Sequence, residues 1–339
     1  MSAFAQTKQQ RQMMERVSEA SLRTNLTFLA SDELEGRATP SKGLDKAADF
    51  IAEQFKKAKL EPVNGSYFQT ATLAEVGTRG AQIERTLAPD APRTMRNVVG
   101  LLRGSDKKLR DTYIIVSSHY DHVGLATTGE DRIFNGANDD ASGSVSVIEL
   151  ARALSKAKPK RSILFMTFFG EERGLLGSRY YGQHPLVPVA QTVAQLNLEQ
   201  IGRTDATNGP QFKGANLTGY DMTNLPAMLS QAAQLAGVRI WKDAESSDAY
   251  FGRSDNQSLA DLGVPAHTLS VAYQYPDYHK VSDTADKIDY ANMATVDRGI
   301  AVGLLAVANA AEAPKWNEAY GPAQKYVEAA RKLRTAPSQ

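Results

Sequence analysis

Runs of continuously apolar residues alternate along this chain with runs in which apolar positions recur every three to four residues. The first kind comprises "MRNVVGLL" at 95–102, "TYIIVSS" at 112–118, "SILFMTFF" at 162–169, "TVAQLNL" at 192–198 and "AHTLSVA" at 266–272. Each is strand-sized and β-branched or apolar throughout, the pattern of strands buried on both faces. The second kind includes "LDKAADFIAEQFKKAKL" at 44–60, where Ala48, Ile51, Phe55 and Leu60 fall near a 3.6-residue period. "SVSVIELARALSKA" at 144–157 and "NLPAMLSQAAQLAG" at 224–237 read the same way, as helices. Strands alternating with helices predict an α/β chain with a largely parallel sheet covered on both sides. Ligand sites on such sheets lie at the carboxyl ends of the strands.

No repeat or low-complexity block interrupts this order. The polar and aromatic segment 203–262 is expected to add a helix and a rim to the carboxyl end of the sheet, and the chain from 313 onward reads as a surface helix with a frayed tail.

Composition narrows the chemistry. The 339 residues, 42% hydrophobic and 23% charged, suffice for a large core. Thirty-nine basic side chains against 38 acidic give a formal net charge of +1, which offers no field for steering toward nucleic acid or an acidic bilayer. No apolar run reaches the roughly 18 residues of a bilayer span, the run 300–311 reading as one buried helix. Nucleic-acid and membrane partners are therefore not expected. Cysteine is absent, which removes disulfides, thiolate catalysis and thiolate metal sites together. Any metal must be held by His, Asp or Glu. The opening Ala3-Phe4-Ala5 reads as the small-residue end of a secretory signal, so export to the periplasm or medium is expected, with the apolar part of the signal outside the chain.

The predicted strand ends carry the candidate chemistry. The strand at 112–118 runs into "HYDHVG", with His119, Asp121 and His122; the strand at 162–169 into Gly170, Glu171 and Glu172; the strand at 192–198 directly into Glu199. After the strand at 266–272 a short loop leads to Tyr278 and His279, and the turn-rich "NGANDDASG" at 135–143 carries Asp139 and Asp140 into a helix. Singly, each has a plainer use. Asp139, Asp140 or Ser142 could cap that helix. His119 could be a buried histidine satisfied by Asp121, His122 could ligate a metal but a loop histidine is more often exposed, and Glu199 could be a strand-end charge. His267, inside a strand, is expected in the core or at its rim, and His184 carries no signal.

Jointly, they deliver imidazole and carboxylate to one edge from several separate places. Zinc takes such nitrogen and oxygen donors at about 2.0 to 2.2 Å, and two ions about 3.5 to 4 Å apart need a shared carboxylate. Two histidines and three carboxylates divide into two sets of three with one bridge, leaving one glutamate as a base for water. Adjacent glutamates that would repel each other are tolerated where dications lie beside them.

"HYDHVG", "GANDDASG", "FFGEERGLLGS", "LNLEQIGR" and "YHKVSDTADKID", together with "LASDELEGR" at 29–37 and "GSYFQ" at 65–69, resemble the ordered motifs of the co-catalytic zinc exopeptidases, in particular the bacterial aminopeptidase branch. That family also contains glutamate carboxypeptidase and the glutaminyl cyclases. The resemblance spans about residues 29–289. It implies a three-layer α/β/α sandwich with a mixed, mainly parallel central sheet, in a single zinc-peptidase domain over 20–312, followed by a helix and tail at 313–339. A protease-associated insert is not expected, since too few residues separate Gln69 from Arg96.

The resemblance further implies two Zn2+ ions, with Asp139 bridging. His119 and Glu199 would complete one site and Glu172 and His279 the other, Glu171 would be the general base, Asp121 would hold the His119 ring, and Tyr278 would donate to a developing oxyanion. The implied reaction is hydrolysis of the N-terminal bond of a peptide with a free N-terminus. Two departures stand out: Glu199 replaces the usual Asp of "NLDMIG", and "FGRSDNQSL" at 251–259 puts Asn256 where relatives carry His, a change read as lying in the pocket wall or its support. The alternatives on the same scaffold are a glutaminyl cyclase, a carboxypeptidase gripping a terminal carboxylate through Arg203 or Arg253, and an inactive binding module.

Overall fold

The computed structural model describes residues 6–335, so Ala3-Phe4-Ala5, on which the export expectation rests, lies outside the described residues. The strands are β1 (Phe68–Thr72), β2 (Thr94–Leu102), β3 (Tyr113–His119), β4 (Gly124–Leu125), β5 (Ile133–Phe134), β6 (Ser162–Phe168), β7 (Thr192–Glu199), β8 (Gly214–Leu217), β9 (Arg239–Trp241) and β10 (Ala266–Ser270). Eight of them form one sheet in the order β1-β2-β6-β3-β7-β10-β8-β9, and β4 and β5 pair separately. The four central strands β6, β3, β7 and β10 run parallel, whereas β2 and β8 join them antiparallel from either side. The sheet is thus mixed with a parallel centre, as expected.

Alternate residues of the central strands enter different cores. Ile114 and Val116 pack with one cluster and Ile115 with the other; Phe165 packs with the first, Leu164 and Met166 with the second. This two-sided burial is why the strands read as unbroken apolar runs. On one face lie the helices Lys42–Lys57, Gly143–Leu154 and Tyr290–Asn309, with Ala48, Ile51, Phe55, Leu150 and Ile300 fully buried. The helix Tyr290–Asn309 is, among the described residues, the one long and apolar enough to cross a membrane, and it is mostly buried within this fold. On the other face Tyr181, Leu259, Trp316 and Tyr326 cover the sheet.

The chain on both sides of the 20–312 span packs onto the same body. The helix Lys8–Arg16 buries Met13 in the first core. The helix Gln324–Thr335, read from sequence as a surface element, places Tyr326, Val327 and Ala330 in the second core, with Tyr326 stacked on Trp316. Segment 203–262 contains the expected helix, Leu225–Ala233, and also the strands β8 and β9, too short to show a period.

Candidate metal centre

The parallel centre brings three strand ends side by side. His119 closes β3 opposite Phe168 of β6, and Glu199 closes β7 opposite Ser270 of β10. Beyond β6 the chain turns at Gly170, φ +70°, and presents Glu171 and Glu172. His279 arrives from the loop after β10 at φ +53°, a left-handed conformation uncommon for a residue with a Cβ, and Gln200 just after Glu199 has the same φ. Asp139 comes from the loop that enters the helix Gly143–Leu154.

Asp139 stands between two groups of donors. Its Oδ1 is 3.4 Å from His119 Nε2, which is itself 3.8 Å from Glu199 Oε1. Its Oδ2 is 3.1 Å from His279 Nε2, which is 3.0 Å from Glu172 Oε1. The residues expected to bind metal thus lie together, His119 and Glu199 on one side of Asp139 and Glu172 and His279 on the other. His122 joins the second: its Nδ1 lies 3.0 Å from Glu172 Oε1 and 3.9 Å from Asp139 Oδ2, and donor atoms of His122, Asp139, Glu172 and His279 all lie within 4.8 Å of one another. His122 is fully buried, contrary to the exposed loop histidine expected from sequence.

The donor set fits a cation. His279 Nε2, Asp139 Oδ2, Glu172 Oε1 and both His122 nitrogens are buried with no hydrogen-bond partner among the described residues, although they lie near one another. They converge on a common point and are poorly aligned as donors and acceptors. Their separations, from 3.0 Å to at most 4.8 Å, bracket the edges of about 3.3 to 3.6 Å that tetrahedral bonds of zinc length would give.

The electrostatics agree. With only protein charges acting, burial pushes the Glu199 carboxyl up to about 7 and the Glu171 carboxyl well above its usual range, with Glu199, Asp255 and Glu172 adding to the effect on Glu171 and His119 opposing it. Burial also acts on Asp139, but the facing imidazoles of His119, His279 and His122 outweigh it and hold that carboxyl low. Asp139 and Glu172 raise His279 to about 10. Buried carboxylates in excess of buried imidazoles call for added positive charge.

Supporting residues fix these groups. Asp121 lies beside His119, with Oδ1 3.5 Å from His119 Nδ1 and its backbone oxygen 3.2 Å from the same nitrogen. A proton on Nδ1 leaves the Nε2 lone pair facing Asp139 and Glu199, the tautomer a metal ligand needs. Asp140 is the helix-capping carboxylate, accepting from the N–H groups of His119, Gly143 and Gln200. Asp283 accepts from the N–H groups of Asn138 and Asp139 and from the Tyr275 hydroxyl. Ser254 donates to Glu199.

Arg37 explains "LASDELEGR". Fully buried, it donates to the carbonyls of Leu29, Tyr120, Asn135 and Gly136, tying together the two loops that carry His119 and Asp139, and burial lowers its pKa to about 10.

A cavity of about 320 Å³ opens on the centre, with His119, Asp139, Glu171, Glu172 and Glu199 on one side and Tyr250, Arg253, Tyr273, Gln274, Tyr275 and Tyr278 around the rest. Tyr278, 45% exposed, stacks on the His279 ring. Arg203 is taken up by ion pairs to Asp205 and Asp277, and Arg253 lies over the Tyr250 ring. Asn256 stays behind the wall, donating to Phe251 O and accepting from Thr268. His267 is a core histidine held by Thr218 and Thr223, and the His184 ring packs tilted against Tyr180. The rim aromatics Tyr250, Tyr273 and Tyr275 sit in loops, where no periodicity marks them.

Residues 97–303, which include every candidate ligand, match the sequence model of peptidase family M28. A probable zinc metalloprotease of Pyrenophora tritici-repentis (strain Pt-1C-BFP) is 28% identical over 191 residues, covering 56% of this chain and 42% of that protein. The chain thus spans about two fifths of the length of the curated relatives it matches. The aminopeptidase from Aneurinibacillus sp. strain AM-1 superposes with a TM-score of 0.65 at 21% identity, over 91% of this chain and 97% of that one. A Bacteroides thetaiotaomicron glutaminyl cyclase bound to N-acetylhistamine superposes with a TM-score of 0.61 at 16% identity, over 84% and 97%. At these identities the likeness is one of fold.

Proposed function

Since the chain belongs to peptidase family M28, we propose that it is a zinc aminopeptidase that removes the N-terminal residue of peptides through a pair of metal ions. The observation that carries this reading is the bridging posture of Asp139, whose two oxygens face His119 on one side and His279 on the other. His119, Asp139 and Glu199 would hold one ion, and Asp139, Glu172 and His279 the other. When bound, zinc supplies Lewis acidity toward the scissile carbonyl and toward water.

The chain's own groups then divide the work. Glu171, its carboxyl raised by burial and lining the cavity, accepts a proton from the attacking water and returns it to the leaving amine. Asp121 orients His119 and anchors the Glu171 backbone. Tyr278, whose hydroxyl makes no hydrogen bond among the described residues, is placed on the cavity wall to donate to the oxyanion. The pairing of Arg203 with Asp205 and Asp277 removes one of the two candidate clamps for a terminal carboxylate, and Arg253, which lines the cavity over the Tyr250 ring, is the one a carboxypeptidase would have to use. Export is part of the same proposal, and cell fractionation tests it.

The deciding assay compares aminoacyl chromogenic substrates and short peptides with free and N-acetylated ends, with and without chelator. Cleavage confined to free amines and abolished by chelator supports the reading. Pyroglutamate formation from glutaminyl peptides, or cleavage from the carboxyl end, replaces it with the corresponding alternative.

A further inference from the structure

The two halves of the centre differ in how far protein alone encloses them. We propose that His122 is a fourth protein ligand to the cation held by Asp139, Glu172 and His279, so that this half is closed by side chains while the half held by His119, Asp139 and Glu199 keeps the open coordination position. The inference rests on the metallopeptidase reading and goes beyond it, because it gives the two ions unequal roles.

Four observations carry it. First, His122 is 1% exposed and neither ring nitrogen has a hydrogen-bond partner among the described residues. A buried imidazole must give up one proton and offer one lone pair, and leaving both nitrogens unmatched is the exception in folded proteins. Second, the ring is aimed at the right atoms. Nδ1 is 3.0 Å from Glu172 Oε1, and the ring meets that of His279 edge-on, with centroids 5.5 Å apart and planes at 76°. Two imidazoles arriving at one point from different directions adopt such an arrangement.

Third, the loop carrying Asp139 makes room for this ring. Gly136 has φ +57°, and a Cβ there would lie 2.3 Å from Asp139 O and 2.5 Å from His122 Cγ and Cδ2. Only a residue without a side chain lets the ring reach the centre. The backbone is held as well, the His122 N–H donating to Arg37 O at 3.2 Å. Fourth, the halves face the cavity unequally: beside the shared Asp139, both ligands of the first half, His119 and Glu199, line it, whereas in the second half Glu172 lines it and His122 and His279 do not. Four protein donors characterise zinc sites that hold their ion, and three characterise sites that admit water or substrate.

The test is a titration of chelator-stripped protein with Zn2+ against a chromogenic chelator, followed by the visible absorption of the Co2+-substituted protein. The unsubstituted protein should show two classes of binding. In His122→Gln the tighter class should weaken by more than about 100-fold, the upper end of what losing a merely orienting partner costs. The Co2+ bands should change in the first equivalent only. Far-UV circular dichroism confirms that the variant is folded. Wild-type affinity and unchanged Co2+ bands in a folded His122→Gln overturn the inference and leave the metallopeptidase reading standing. Failure of the unsubstituted protein to bind Zn2+ removes both.

Discussion

The backbone N–H of Glu171 donates to Asp121 Oδ1 at 3.1 Å, and that same oxygen lies 3.5 Å from His119 Nδ1. One carboxylate therefore positions both an imidazole of the centre and the backbone of the proposed base, with Thr39 Oγ1 donating to its other oxygen at 3.0 Å. Asp121→Asn removes the charge and one of these acceptor roles. Metal affinity of the His119 half should fall by about 10- to 100-fold, the usual cost of losing an orienting partner, and kcat should fall with it. Chelator competition combined with steady-state kinetics checks this, and unchanged affinity would reduce Asp121 to a purely structural part.

Glu171→Gln should retain both metals while turnover drops by roughly 10²- to 10⁴-fold, the span of a general base. Asp139→Ala should instead lose metal, because one carboxylate serves both halves. Elemental analysis alongside activity separates the two outcomes. Near-normal turnover in Glu171→Gln with its metals in place would take the base role away from this residue.

Arg37→Ala leaves the carbonyls of Leu29, Tyr120, Asn135 and Gly136 without their donor in a fully buried site. At about 1–3 kcal/mol for each buried group left unpaired, partly offset by water, a loss of more than about 3 kcal/mol is expected in denaturant unfolding. Arg37→Lys should recover little, since an ammonium lacks the planar fork that reaches carbonyls on several sides.

A buried histidine sets a pH dependence away from the centre. Burial lowers His267 from 6.5 to about 4, opposed by its hydrogen bond to Thr218 O. The unfolded chain then binds a proton that the folded one refuses, so stability is highest above the unfolded value and is lost as pH falls from about 6.5 toward 4. The full effect is on the order of 3 kcal/mol. Unfolding curves of the metal-free protein across this range should be steeper in pH than those of His267→Gln, and parallel curves would contradict the assignment.

The centre of the sheet was legible because both faces of β3, β6 and β7 are buried, which writes unbroken apolar runs into the sequence. The edges were not: β8 and β9 have four and three residues, too few for any period, and β1 only overlaps, at Phe68 and Gln69, a motif noticed for another reason. Carboxylates and imidazoles at strand ends could be read because strand ends are where such sheets bind ligands. His122 reads from sequence as an exposed loop histidine because its burial depends on Gly136 and Arg37, which touch it only after folding. The same holds for Ser254 beneath Glu199 and for the tyrosines of the cavity rim, whose neighbours are set by packing.

Where metal binds decides whether Asp139 is a bridge. Crystals grown from zinc-loaded protein and measured at the zinc absorption edge should show two anomalous peaks about 3.5 to 4 Å apart, one beside each oxygen of Asp139. One peak should lie among His119, Asp139 and Glu199, and the other among His122, Asp139, Glu172 and His279. A single peak, or metal bound away from Asp139, would contradict a centre built on that carboxylate as a bridge.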